Sequence, residues 1–230
     1  MKPKSKVLII AGSDSSGGAG IQADIKIVTA LGSYAMTAIT AVTCQNTKGV
    51  KGITSIPVKN IQKQITMVLD DIGADAVKIG MLHNTRVIKS TYRTLKKYKL
   101  KNVVLDPVMF AKSGTKLVRS NSIKYLKKLL LPLCYLVTPN IPEAEVLTGY
   151  SISNKEDMIK AAKKIISMGP KNVLLKGGHL KNKMIFDILV SKNRIEIFPK
   201  RKIKTKNTHG TGCTLSSALA TCLSQKKKII

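Results

Sequence analysis

Apolar runs of strand length alternate along this chain with segments whose apolar residues recur at helical spacing. Val7-Leu8-Ile9-Ile10-Ala11 is a continuous apolar run and reads as a buried strand, and Ile21, Ile25, Val28 and Leu31 behind it trace one face of a helix. The same alternation predicts strands over 7–11, 34–43, 76–79, 102–105, 135–137 and 172–175. It predicts helices over 19–31, 59–70, 85–98, 120–131, 155–168 and 212–224. Residues 185–190 and 194–198 flank Ser191-Lys192-Asn193, which predicts an antiparallel hairpin at a sheet edge. Residues 49–58 add a short extended excursion. This order predicts an α/β fold, a mostly parallel, doubly wound sheet with helices on both faces. No internal repeat or linker interrupts it, so one domain over 1–230 is expected.

Parallel strands of this kind place ligands beyond their carboxyl ends. Glycines and polar residues gather at those ends: 12–20 after the first strand, then Gln45-Asn46-Thr47, Gly80-Met81, Asp106-Pro107-Val108-Met109, Thr138-Pro139-Asn140-Ile141-Pro142-Glu143 and Lys176-Gly177-Gly178-His179. Near the end of the chain, Lys206-Asn207-Thr208-His209-Gly210-Thr211-Gly212-Cys213-Thr214 runs straight into a helical pattern. The first N–H groups of a helix lack intrahelical partners and carry the positive end of its dipole, so this turn suits a phosphate. The alternative is a plain helix start with Thr211 as cap and Gly212 as a packing residue. The first glycine cluster, Gly17, Gly18 and Gly20, departs from a dinucleotide fingerprint, and a substrate pocket fits it better.

Composition narrows the field. No apolar stretch is long enough to span a bilayer. The basic N-terminus leads into a strand and a Gly/Ser loop rather than a cleavage site, so no secretory signal is expected. Cys44, Cys134, Cys213 and Cys222 fit no zinc spacing and read as reduced thiols of a cytoplasmic protein. The formal charge is +28, from 40 Lys plus Arg against 12 Asp plus Glu. Those lysines are scattered, Trp is absent and only three Phe occur, so no sequence-specific nucleic-acid surface is expected.

Asn140 and Glu143 stand three apart and suit either Mg²⁺, directly or through its water shell, or a helix cap. Asp106 would add a second acidic oxygen, and Lys176 would neutralise a transferring phosphate. Asp14 and Asp24 supply polar groups near the first strand end.

The runs at 11–24, 45–47, 78–81, 106–109, 138–143, 176–179 and 207–214 resemble, in order, the motifs of the hydroxymethylpyrimidine/phosphomethylpyrimidine kinases. The resemblance implies a ribokinase-like fold with a small β edge or lid. It implies a homodimer and phosphorylation of 4-amino-5-hydroxymethyl-2-methylpyrimidine, then of its monophosphate, by ATP and Mg²⁺ in thiamine synthesis. It implies that Asp24 and Gln45 contact the pyrimidine while Gly12, Met81 and Val108 wall its pocket. Asn140, Lys176, Thr208, Gly210 and Gly212 then face the nucleotide, and Asp106 and Glu143 the metal. Gly210, Thr211, Gly212 and Cys213 form the anion hole. Cys213 stands where the wider superfamily has an aspartate base and is expected to take that role; its place at a helix start is expected to lower its pKa and to make it more reactive than Cys44 or Cys134. The resemblance also implies a further helix or two beyond Ile230, so a C-terminally shortened domain is expected, the Lys226–Lys228 run marking an adenine-rich codon tract. A pyridoxal kinase of the same superfamily and a non-catalytic basic binding protein remain alternatives.

Overall fold

Along the first strand, Val7, Ile9 and Ala11 pack into one apolar layer and Leu8 and Ile10 into another, the two-residue period of a strand covered on both faces. The computed structural model describes residues 2–111, 114–180, 184–205 and 207–227; Lys206, Lys228 and Ile230, named above, lie outside the described residues. The elements in order are β1 (Lys6–Asp14), α1 (Gly20–Ala30), β2 (Tyr34–Gln45), β3 (Val50–Ser55), α2 (Val58–Asp71), β4 (Ala76–Ile79), α3 (Thr85–Lys97), β5 (Val103–Leu105), α4 (Ser120–Tyr125), β6 (Leu136–Val137), α5 (Ile141–Thr148), α6 (Lys155–Ile166), β7 (Asn172–Leu175), β8 (Met184–Ser191), β9 (Ile195–Arg201) and α7 (Thr211–Ser224).

The nine strands among the described residues form one sheet in the order β3-β2-β1-β4-β5-β6-β7-β8-β9. The six from β2 to β7 are parallel, while β3 at one edge and the β8–β9 hairpin at the other are antiparallel. The chain steps from β1 to β2 in one direction and returns to place β4 on the other side of β1. The sheet therefore opens a crevice at the carboxyl ends of β1 and β4. Helices α1 and α7 supply Ile21, Val28, Ala220 and Leu223 to the layer on one face. Helices α2 to α6 supply Ile61, Val87, Leu147 and Ile165, among others, to the other.

Three departures from the expected elements have local causes. β1 and β2 run on to Asp14 and Gln45 because their ends keep pairing, through Ser13↔Val42 and Asp14↔Thr43, past a bulge. The helix expected over 120–131 is α-helical only to Tyr125; it widens into a π turn (Leu126–Leu130) and ends in a 3₁₀ turn (Leu131–Leu133). Pro132 has no N–H, and its ring would crowd the carbonyl four residues back, so the α-helical ladder stops there. Between β6 and α6 stands α5, which periodicity does not reveal in so short a segment. It is set by its termini: Asn140 caps it, Pro142 lies in its first turn and Gly149 closes it in the left-handed region at φ 78°.

Candidate active site

The last glycine turn and the first one lie against each other. Gly210, at φ 77°, is the N-cap of α7, and no side chain caps that helix among the described residues. The backbones are so close that a Cβ on Gly210 would stand 1.8 Å from the carbonyl oxygen of Gly18, so only glycine fits. Thr211 is not the cap: its hydroxyl donates to the Thr208 carbonyl at 3.0 Å and tightens the turn. His209 Nε2 donates to Asp14 Oδ2 at 2.8 Å. Asp14 also accepts from the Ser16 N–H and hydroxyl on Oδ1 and from the Ala19 N–H on Oδ2. Burial pushes the Asp14 carboxyl up, but the bonds from His209, Ser16 and Ala19 outweigh it and hold it below the ordinary carboxylate value.

Beneath the start of α7 converge two of the strand-end residues. A Cβ placed on Gly212 would lie 3.5 Å from Lys176 Nζ and 3.7 Å from Asp106 Oδ2, so the first turn of α7 sits over a charged pair. Lys176 Nζ donates to Asp106 Oδ1 at 3.2 Å and to the Thr138 carbonyl at 2.5 Å. Burial pushes the Lys176 ammonium down, but Asp106 and Glu143 outweigh it and keep its pKa above the ordinary lysine value. The N–H groups opening α7 and this ammonium together make a site for a phosphoryl group.

Asn140 and Glu143 first serve the fold. They form a reciprocal capping box: Asn140 Oδ1 accepts from the Glu143 N–H at 2.9 Å, and Glu143 Oε2 accepts from the Asn140 N–H at 2.8 Å. Of the two arrangements this spacing suits, the cap is formed, and the Asn140 amide oxygen is engaged in it. Glu143 is 4% exposed. Burial first, then the nearby Asp106 carboxylate, pushes its pKa up to about 7 against the pull of Lys176.

Gly12, Met81 and Val108 lie close to one another. Met81 packs with Ala41, Leu117 and Val108, and Gly12 lies so close that a Cβ there would stand 2.7 Å from Met81 Cε. Gln45 sits at the end of β2, where its backbone exchanges hydrogen bonds with the Ser15 hydroxyl and its side-chain oxygen accepts from Thr43 at 3.1 Å.

Asp24 and Cys213 have surroundings that no local pattern announces. Asp24 is completely buried; Oδ2 accepts from Lys78 Nζ at 2.7 Å and Oδ1 from the Ser217 hydroxyl at 2.8 Å. Both oxygens have a protein partner, so Asp24 ties α1, β4 and α7 together. Burial pushes the Cys213 thiol up to about 11, and Asp106 and Asp24 add to this; Lys78 and a hydrogen bond from the Gly20 backbone only partly offset them. The helix start thus does not produce the lowered pKa expected of it. Cys44 is exposed, whereas Cys134 is buried and its pKa is raised by that burial, so Cys213 is not the thiol best placed to react with solvent reagents.

Lys78 and the Asp14–His209 contact are not foreseen from the motifs. Lys78 is the one charge in the apolar run 76–79, and that break in the pattern is its only sequence signal. Burial disfavours its charge, but Asp24, Cys213 and Asp106 outweigh this and keep it protonated above the ordinary lysine value. Asp14 and His209 are 195 residues apart, and nothing local announces their contact.

A parallel sheet with this strand order, carrying a helix N-terminus over a Lys–Asp pair at its strand ends, defines a small-molecule kinase of the ribokinase-like class. The comparisons agree. Residues 14–230 match the phosphomethylpyrimidine kinase family. The chain is 48% identical over 93% of its length to a hydroxymethylpyrimidine/phosphomethylpyrimidine kinase from Bacillus subtilis, covering 79% of that protein. The crystal structure of a phosphomethylpyrimidine kinase from Clostridium difficile superposes with a TM-score of 0.87 at 47% identity, covering 98% of this chain and 93% of that one. An ADP complex of Bacillus subtilis pyridoxal kinase superposes with a TM-score of 0.91 at 38% identity, covering 98% of this chain and 86% of that one. A bifunctional thiamine biosynthesis protein from Geobacter sulfurreducens is 50% identical over 97% of this chain, which spans only 46% of that protein. The chain belongs to the phosphomethylpyrimidine kinase family.

Proposed function

We propose that this chain transfers the γ-phosphoryl group of ATP to the hydroxymethyl oxygen of 4-amino-5-hydroxymethyl-2-methylpyrimidine, and a second phosphoryl group to the resulting monophosphate. The observation that carries this reading is the convergence of Gly212, Lys176 and Asp106 at the start of α7, beside the apolar wall of Gly12, Met81 and Val108. The pyrimidine ring fits against that wall, with Gln45 as the candidate polar contact at the end of β2. The acceptor oxygen then meets the γ-phosphorus over α7. The new O–P bond forms as the bond to ADP breaks, and the N–H groups of Gly212 and Cys213 with Lys176 hold the charge on the transferring oxygens. Asn140 and Thr208 stand on the nucleotide side. With its thiol at about 11, Cys213 is protonated at neutral pH and orients the acceptor hydroxyl. The hydroxyl proton leaves late, to the transferred phosphoryl group, as suits a loose transition state.

Mg²⁺ fits this donor set. The described residues contain no group of three or more His, Cys, Asp or Glu side chains able to cage a metal. They do bring the Asp106 carboxylate near Glu143, whose pKa is raised first by burial and then by Asp106, a repulsion that a cation relieves. Such a pair, with substrate phosphate completing the shell, is a usual arrangement for Mg²⁺. Asp106 and Glu143 would hold the ion through its waters, where it supplies charge neutralisation of the triphosphate. Homodimeric assembly and a cytoplasmic location belong to the same reading; no helix among the described residues is long and apolar enough to cross a membrane.

The test is a coupled ADP-release assay with MgATP and, separately, the pyrimidine alcohol, its monophosphate and pyridoxal. Turnover of the first two with kcat/KM above that for pyridoxal supports the proposal. Pyridoxal as the preferred acceptor would favour the pyridoxal kinase reading that the 38% identical neighbour motivates. No turnover with any acceptor, together with no pyrimidine binding by calorimetry, would leave only a binding protein.

A further inference from the structure

The two glycine segments that flank the reacting centre are not independent loops. One, residues 12–20, carries the acceptor-side wall at Gly12; the other, residues 207–213, opens α7 and supplies the anion hole. Their only charged contact among the described residues is His209 Nε2 with Asp14 Oδ2 at 2.8 Å, 3% exposed at the Asp14 side chain and 12% at the imidazole. Around it the backbones are in close contact. A side chain on Gly18 would collide with the His209 ring, its Cβ 2.4 Å from Cδ2, and one on Gly210 would collide with the Gly18 carbonyl. Asp14 is itself fixed by Ser16 and Ala19, and Gln22 Oε1 accepts from the Asp14 N–H at 2.9 Å, so the carboxylate is a rigid anchor. His209 Nε2 carries a proton in the imidazolium and in the Nε2–H tautomer, and either form donates to that anchor.

We infer that Asp14 and His209 are a positioning pair for phosphoryl transfer, clasping the anion turn of α7 to the acceptor-side glycine loop. This rests on the kinase reading above. Transfer requires the acceptor oxygen and the γ-phosphorus to meet in line at near-contact distance, and a displacement of about 1 Å costs on the order of a hundredfold in rate. The acceptor is registered by the first loop and the phosphoryl group by the second. The clasp sets the distance between them and contacts neither.

Two substitutions at His209 separate positioning from packing. His209→Gln keeps an N–H donor near the place of Nε2; His209→Phe keeps a ring against Gly18 without a donor. His209→Leu stands in if the Phe variant does not fold. The measurements are kcat, acceptor KM and hydrogen exchange of the amides at 208–213. Loss of a hydrogen bond to a charged group predicts a fall in kcat on the order of tenfold to a hundredfold for His209→Phe. Acceptor KM stays within about threefold, since ground-state contacts remain. Exchange at 208–213 speeds up, and His209→Gln recovers most of both effects. A Phe variant with wild-type kcat, or Phe and Gln variants impaired alike, would overturn the clasp. If the wild-type chain turns over no acceptor, the function proposed above fails while the exchange measurement still decides: faster exchange in Phe but not in Gln supports the clasp, and equal exchange removes it.

Discussion

Lys78 Nζ lies 2.7 Å from Asp24 Oδ2, and neither side chain has any exposed surface. The pair sits between the sheet and α7, one helical turn below Cys213, with Ser217 completing the shell of Asp24. Removing one partner strands a buried charge, which costs about 3–5 kcal/mol, whereas removing both together leaves none. Lys78→Met alone is therefore expected to lower the unfolding free energy by that amount. Lys78→Met combined with Asp24→Leu should be less destabilised than the sum of the single changes. Urea unfolding of the three variants checks this; strict additivity would show that the two side chains do not act as a pair.

Gly210 and Gly212 are two residues apart and should respond oppositely to a methyl group. Gly210→Ala meets the Gly18 carbonyl at 1.8 Å in a left-handed conformation, so it is expected to destabilise the fold by about 1–3 kcal/mol or more. Gly212→Ala has only ordinary contacts, at 3.5 and 3.7 Å, and is expected to fold normally. On the kinase reading its methyl crowds the phosphoryl position and lowers kcat by about tenfold or more, about 1.4 kcal/mol. Thermal unfolding and steady-state kinetics of the two variants separate these effects.

Glu143 offers a pH dependence with a definite sign. Its pKa in the fold is about 7 against an ordinary 4.5, so between these values the folded chain binds more protons than the unfolded one. Stability of the metal-free protein therefore falls as pH rises through that window, by on the order of 3 kcal/mol in full. Glu143→Gln keeps the capping-box acceptor and has no charge to lose, so its stability should lack that contribution and fall less steeply there. On the kinase reading the same variant loses about tenfold or more in Mg²⁺-dependent transfer. Unfolding curves from pH 4.5 to 7.5 in chelator, beside the kinetics, test both halves; parallel stability profiles for wild type and variant would contradict the first.

Cys213 is expected to label slowly. With its thiol at about 11, little thiolate is present at pH 7.5, and exposed Cys44 should react with iodoacetamide first. Peptide mapping against time orders the sites. Cys213→Ala is expected to keep pyrimidine binding and to lose kcat, because the backbone N–H groups of α7 remain. Normal turnover in that variant would reduce Cys213 to a packing residue.

Much of this architecture is written in local patterns. The continuous apolar run at 7–11 and the helical spacing of Ile21 and Val28 are consequences of strand and helix periods, and they predict β1 and α1 within a few residues. Gly12, Met81 and Val108 lie close together because each stands at the carboxyl end of a neighbouring parallel strand, and a topology that is legible from β–α alternation puts those ends together. Tertiary structure decided what no local pattern encodes, namely which polar groups are already satisfied. Asp24 reads as a polar group on a helix with no evident partner, and Lys78, 54 residues away, pairs with it in the fold. Cys213 reads as an activated thiol until burial and two carboxylates set its pKa. Asn140 and Glu143 suited a metal or a cap in sequence, and folding closed the cap. Asp14 and His209 meet only because the sheet brings two glycine loops together across 195 residues. A backbone period acts over a few residues, whereas desolvation and charge pairing depend on every element that closes over a site.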